Sequence, residues 1–179
     1  MTKAKNVIAI SGSSRERSTN LNMINAVADL ADGRFSVSVF DGLTKIPHFS
    51  PDIDNEDAGP EVADFRRQLR EADGILICTP EYAMGVPGTL KNAIDWTVSS
   101  AEFVDKPTAL ITASSVGEKG HASLLETLKV ISANITDETQ LLVSHAKLKV
   151  NNDGQITDDK TLNDVENLIR AFEKMLNSV

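Results

Sequence analysis

Serines, arginines and an asparagine crowd Gly12-Ser13-Ser14-Arg15-Glu16-Arg17-Ser18-Thr19-Asn20, directly after an apolar run. Hydroxyls of Ser13, Ser14, Ser18 and Thr19, the Asn20 amide and the free N–H groups of a helix start are all hydrogen-bond donors. A helix N-terminus also carries partial positive charge, so the stretch suits a phosphate. Arg15 and Arg17 can add charge-assisted bonds from the side. The plainer alternative is an ordinary strand-to-helix turn with Ser18 as its N-cap. No Gly-Lys-Ser/Thr follows, as in a Walker loop, and no Gly-x-Gly-x-x-Gly is present. A terminal monophosphate therefore fits better than a triphosphate or a dinucleotide.

A second loop, Pro80-Glu81-Tyr82-Ala83-Met84-Gly85-Val86-Pro87-Gly88, follows another apolar run. Two prolines restrain its backbone, while Gly85 and Gly88 permit tight bends. Restrained backbone whose N–H and C=O groups face one way can hydrogen-bond the edge of a planar ring. Tyr82, the only tyrosine, can cover a ring or a partner subunit, or lie half-buried in the loop. Glu81 reads as a structural or solvent-facing carboxylate before a catalytic one. A third loop, Ala113 to His121, offers Ser114, Ser115, Gly117 and Gly120 for close approach of a ligand. His121 reads as an exposed first-turn residue rather than a general base. Phosphate loop and flat-ring loop together point to a nucleotide-like cofactor, and a flavin suits both.

Such loops need rigid elements behind them. Val7–Ile10, Phe35–Phe40, Ile75–Thr79, Ala109–Ala113 and Leu141–Val143 read as strands. Most are almost wholly apolar, as in central parallel strands covered on both faces, whereas Phe35–Phe40 alternates like a strand nearer an edge. Apolar stripes of helical period lie between them. They run Leu21 to Ala31, Val62 to Ala72 after Pro60, Leu90 to Ile94 from Gly88, Leu124 to Ile135, and Leu162 to Leu176. Five such βα units imply a doubly wound α/β sheet with right-handed crossovers. In such sheets ligands sit outside the carboxyl ends of the strands, which selects the three loops above.

At 179 residues the chain fits one domain, 1–179. Its 18 Lys and Arg against 26 Asp and Glu give a net charge of −8, which argues against a nucleic-acid partner. Cys78 is the only cysteine, so an intramolecular disulfide is excluded, and it reads as a packed core thiol. The three scattered histidines make no zinc pattern. No apolar stretch reaches membrane-spanning length, no secretory segment is evident, and the cytoplasm is the expected location. The irregular stretch from Gly42 to Gly59 is stiffened by Pro47 and Pro51, and Asn151-Asn152-Asp153-Gly154 signals a tight turn.

Gly12-Ser13-x-Arg15-x-x-Ser18-x-Asn20, Pro80-Glu81-Tyr82 and Pro87-Gly88-x-Leu90-Lys91-Asn92-Ala93-Ile94-Asp95-Trp96 resemble the NADPH-dependent FMN reductases, which include quinone, chromate and azo-dye reductases. Ile46 to Asp52 and Asp153 to Asp158 extend the likeness along the chain. The resemblance implies a flavodoxin-like five-stranded parallel sheet of order 2-1-3-4-5 with helices on both faces. It implies that Ser13, Arg15, Ser18, Thr19 and Asn20 bind the FMN phosphate. Pro80, Glu81, Tyr82 and Ala83 would contact the isoalloxazine, with Ser115 and Gly117 on its far side. Many members have Asn where this chain has Ala83, and others have paired glycines where it has Gly120-His121. The implied activity is hydride transfer from NADPH or NADH, through FMN, to a quinone, free flavin or similar small acceptor, with no essential catalytic acid. A flavodoxin-type electron carrier and a non-catalytic flavin-binding module are the competing readings. A homodimer is implied, with a tetramer as the alternative, and Leu90, Ile94, Trp96 and Val98 either form its contact or cover the chain's own sheet.

Overall fold

A computed structural model describes residues 4–15, 18–54 and 58–178. Five parallel strands, β1 (Lys5–Ser11), β2 (Phe35–Val39), β3 (Gly74–Thr79), β4 (Thr108–Ala113) and β5 (Gln140–Val143), form one sheet of order β2-β1-β3-β4-β5. Ile8 pairs with Ser38 and Ile75, and Ile77 with Leu110, so the chain winds outward in both directions from β1 and β3. This is the flavodoxin-like order.

Alternation along the strands distributes the core. Val7, Ala9, Leu76, Cys78, Ala109 and Ile111 face one side, where α1 (Thr19–Ala31) and α5 (Asp159–Leu176) contribute Met23, Ile24, Val165, Ile169 and Phe172. Ile8, Ile10, Ile75, Ile77 and Leu110 face the other, under α2 (Pro60–Glu71), α3 (Gly88–Asp95) and α4 (Glu118–Val130). Burial on both faces removes the need for polar alternation in β3 and β4, and every residue of each is buried. β2, at the edge, keeps an exposed face.

The predicted α4 stripe runs too far. α4 stops at Val130, and Ser132 turns the chain left-handed at φ 60°. Ile131 and Ile135 nonetheless stay packed on the core, which is why the apolar period outlasts the helix. The candidate dimer contact also needs correction. Leu90, Ile94 and Trp96 are 0% exposed and cover this chain's own sheet, leaving only Val98 facing outward.

Trp96 and Asn92 explain the segment from Pro47 to Asp54 as well. The carbonyl of Pro47 accepts from Trp96 Nε1–H (2.8 Å) and Asn92 Nδ2–H (2.9 Å), while Asn92 Oδ1 accepts from Phe49 N–H (2.7 Å). Phe49 meets Trp96 edge-on with ring centres 5.1 Å apart. Arg66 closes the brace, donating to Trp96 O and to Asp54 Oδ1. Burial would raise the Asp54 carboxyl, but hydrogen bonds from Arg66 and Ser99 and the charge of Arg66 hold it below the ordinary range. Proline-stiffened, as expected, the segment is also stapled to the helix layer.

Candidate cofactor site

Outside the carboxyl ends of the strands lies a cavity of about 630 Å³, within the usual range for small-molecule sites. It is lined by Ser13, Arg15, Ser18, Thr19 and Asn20 from the first loop, by Pro80, Glu81 and Tyr82 from the second, and by Ser115 from the third. Ala83 and Gly117 lie next to these residues but do not line it. Arg17 falls outside the described residues.

The first loop is pinned at its start and open at its end. Gly12 N–H donates to Cys78 O at 2.8 Å, continuing the ladder beyond β1. A Cβ at Gly12 would fall 2.3 Å from Thr79 Oγ1, so only glycine lets the loop lie this close to the end of β3. Ser18 does cap α1, its Oγ accepting from Asn20 N–H at 3.2 Å. A hydroxyl accepts with its lone pairs and donates with its hydrogen, so the cap leaves the Ser18 O–H available. Capping and ligand binding are compatible uses of one side chain.

The second loop is held by its own hydrogen bonds. Tyr82 and Gly85 exchange both backbone bonds at 2.9 Å around Ala83 (φ 49°) and Met84 (φ 62°), the pattern of a tight mirror-image turn. The left-handed residues are thus Ala83 and Met84, not the glycines of the loop. Each costs about 1–2 kcal/mol relative to ordinary backbone, and strain held by surrounding structure concentrates at ligand sites. Tyr82 is 43% exposed at the cavity edge.

Glu81 joins the second loop to the third. Its N–H donates to Ser114 Oγ (3.2 Å) and its carboxylate accepts from Gly120 N–H (2.7 Å). A side chain at Gly120 would meet Gly85 O at 2.8 Å and the Glu81 stem near 3.1 Å. The structural role read for Glu81 is the one observed. His121, expected to be exposed, is half-buried. Gln140 Nε2–H donates to Asp137 Oδ1 (3.0 Å), which turns Gln140 Oε1 toward His121 Nε2 (3.0 Å). His121 Nε2 therefore carries the proton, and Nδ1 accepts from Thr112 Oγ1–H (2.8 Å). Burial pushes the imidazole pKa down, opposed by the Gln140 bond. The ring is locked against the sheet and does not line the cavity.

The wall absent from the sequence reading comes from the connection between β5 and α5. His145, Lys147 and Leu148 line the cavity because this segment is laced to the third loop. His145 N–H donates to Ser115 O, Ala146 N–H to Ser114 O, and Ser144 Oγ–H to Val116 O. The turn read at Asn151–Gly154 is present, bridged by Val150 and Ile156, and Asn22 Nδ2–H ties it to α1 through Asn151 O at 2.9 Å. Only the turn signal at Asn151-Asn152-Asp153-Gly154 hints at this wall.

The donor set fits a phosphate-bearing ligand. Free hydroxyls, an amide and two cations, Arg15 and Lys147, meet there in a chain of net charge −8. Neither cation is paired with a carboxylate among the described residues. Glu81, the one acidic lining residue among the described residues, is turned onto a backbone N–H.

Known proteins agree. Residues 5–147 match the family model described as NADPH-dependent FMN reductase. An NAD(P)H-dependent FMN reductase of Pseudomonas aeruginosa is 32% identical over 173 residues, 93% of this chain and 92% of the relative. A 2-hydroxy-1,4-benzoquinone reductase of a Burkholderia species is 33% identical over 166 residues, 88% of each chain. Among solved structures, the flavoenzyme NAD(P)H:(acceptor) oxidoreductase FerB of Paracoccus denitrificans superposes with a TM-score of 0.87 at 26% identity, covering 98% of both chains. On its family match and these relatives, the chain belongs to the NADPH-dependent FMN reductase family.

Proposed function

We propose that this chain is an FMN-dependent NAD(P)H oxidoreductase that reduces a quinone, free flavin or similar small acceptor. The observation that carries the reading is the cradle at the start of α1. There Ser18, Thr19, Asn20 and Arg15 face a cavity whose opposite wall is rigid backbone. Ser13, Arg15, Ser18, Thr19 and Asn20 would hold the phosphate, with the partial positive charge of the α1 terminus behind them. Pro80, Glu81, Tyr82 and Ala83 would lie along the isoalloxazine, with Ser115 and Gly117 on the far side.

FMN, when bound, supplies the acceptance and donation of hydride; the protein supplies binding, orientation and exclusion of water. Glu81 and His121 are engaged in bonds within the protein, so their work is to hold the walls rather than to move protons. Lys147 and Arg15 add positive charge for an anionic ligand. The chain acts as one domain, 1–179, as a cytoplasmic homodimer, with exposed Val98 and Met84 as apolar surface for a second copy. No helix among the described residues is long and apolar enough to cross a membrane.

Purified protein with FMN, NADPH and a quinone tests the activity. Loss of the reduced-nicotinamide absorbance is expected, and its absence would leave an electron carrier or a binding module. FMN should also raise the melting temperature, as a ligand of the native state must. Light scattering after size exclusion reads the oligomeric state.

A further inference from the structure

We propose that Cys78 is a positioning residue for the phosphate end of the cofactor, its thiol orienting the Asn20 amide so that both N–H donors face the cavity. The inference rests on the assignment of that cavity to FMN.

Alternation along β3 sends Cys78 to the α1 side of the sheet, one residue before the strand ends. Asn20, second residue of α1, sits above it and is 4% exposed. Its Oδ1 accepts from Cys78 Sγ–H at 3.3 Å. Its backbone N–H is taken by Ser18 Oγ. Nδ2 has no hydrogen-bond partner among the described residues, yet it is not sealed off, and Asn20 lines the cavity. With the oxygen turned onto the thiol, the two N–H groups are what the cavity meets. Cys78 also accepts Gly12 N–H on its carbonyl, so one residue grips the loop at both ends.

Orientation matters because the amide has two unlike ends. An anion is attracted by the NH₂ group and repelled by the carbonyl oxygen. A buried donor that prefers the oxygen holds Asn20 in the productive orientation before the anion arrives, and the Cys78 thiol hydrogen is such a donor. Burial pushes the thiol pKa upward, so the hydrogen is retained at neutral pH. Valine fills a similar volume and donates nothing, whereas serine is smaller and donates.

Quenching of flavin fluorescence, titrated with FMN and with riboflavin, which lacks the phosphate, tests the assignment. Wild type should bind FMN more tightly than riboflavin. Cys78→Val should lose about three- to tenfold in FMN affinity, one hydrogen bond's worth, with riboflavin unchanged. Cys78→Ser should restore the FMN preference. If valine does not fit the core, Cys78→Ala carries the same comparison. Equal FMN affinity in wild type and the donor-free variant overturns the inference alone, as does a parallel loss for both flavins. A wild type without FMN preference instead overturns the phosphate assignment, and the inference with it.

Discussion

The loops after β1 and β3 border one cavity but are built in opposite ways. The first is anchored at Gly12 and then leaves donors without a partner among the described residues: the Ser18 O–H, the Asn20 NH₂ and the Arg15 guanidinium. The second ties its backbone and its carboxylate into the protein, through the Tyr82–Gly85 pair, the Glu81–Gly120 bond and the Glu81–Ser114 bond. It also holds two residues in left-handed backbone. A charged group is recognised by what a loop leaves open, and a flat ring by what a loop holds still. One cofactor can ask for both.

The strongest way to break the contrast is to unseat the open loop. Gly12→Val drives a side chain into Thr79 and Leu90 and should cost about 3 kcal/mol of stability, the upper end for overpacking, read in urea unfolding. Next, Ser18→Ala with Asn20→Ala removes donors without crowding. It should cost about 1 kcal/mol of fold stability through the lost cap and weaken FMN binding by about tenfold or more. Unchanged FMN affinity would move the phosphate elsewhere.

Acid tests the wired side. His121 is folded as a neutral ring with a lowered pKa, so the unfolded chain takes up the proton first. The stability it contributes is complete above about pH 6.5, the reference value for histidine. It is lost as pH falls through the lower folded value. A His121→Gln variant should show a flatter melting-temperature profile across that window, and an identical profile would refute the assignment. The smallest effect sharpens the contrast. Ala83→Gly relieves a left-handed residue but frees the unfolded chain, for a net gain of about 0.5 kcal/mol. A loss would mean that the turn is not strained.

Much of this was legible because parallel strands announce themselves. β3 and β4 are apolar throughout since both faces are covered, and the ligand end of the sheet follows from the topology. That the residues after β1 would gather on one cavity could be read because serine, asparagine and arginine carry their chemistry in their side chains. Ala83 and Met84 could not, because nothing in either side chain signals positive φ. For Leu90, Ile94 and Trp96 the sequence leaves sheet cover and partner contact open, because an apolar helix stripe looks the same whether it meets a sheet or a partner. Their full burial decides for the sheet. The wall at His145–Leu148 is set by hydrogen bonds to a distant loop, and sequence spacing carries no trace of those. His121 was misplaced for the same reason, its partners lying on two other elements.

The stapled segment from Pro47 to Asp54 has a consequence for proteolysis. An aromatic residue in a surface connection is an inviting cleavage site, and Phe49 is one. Yet its amide is held by Asn92 and its ring rests against buried Trp96. A chymotrypsin-like enzyme could seat Phe49 only after peeling the segment from α3, which uncovers Trp96 and the core beneath it. Nicking at Phe49 in the native protein would therefore track global unfolding rather than local breathing.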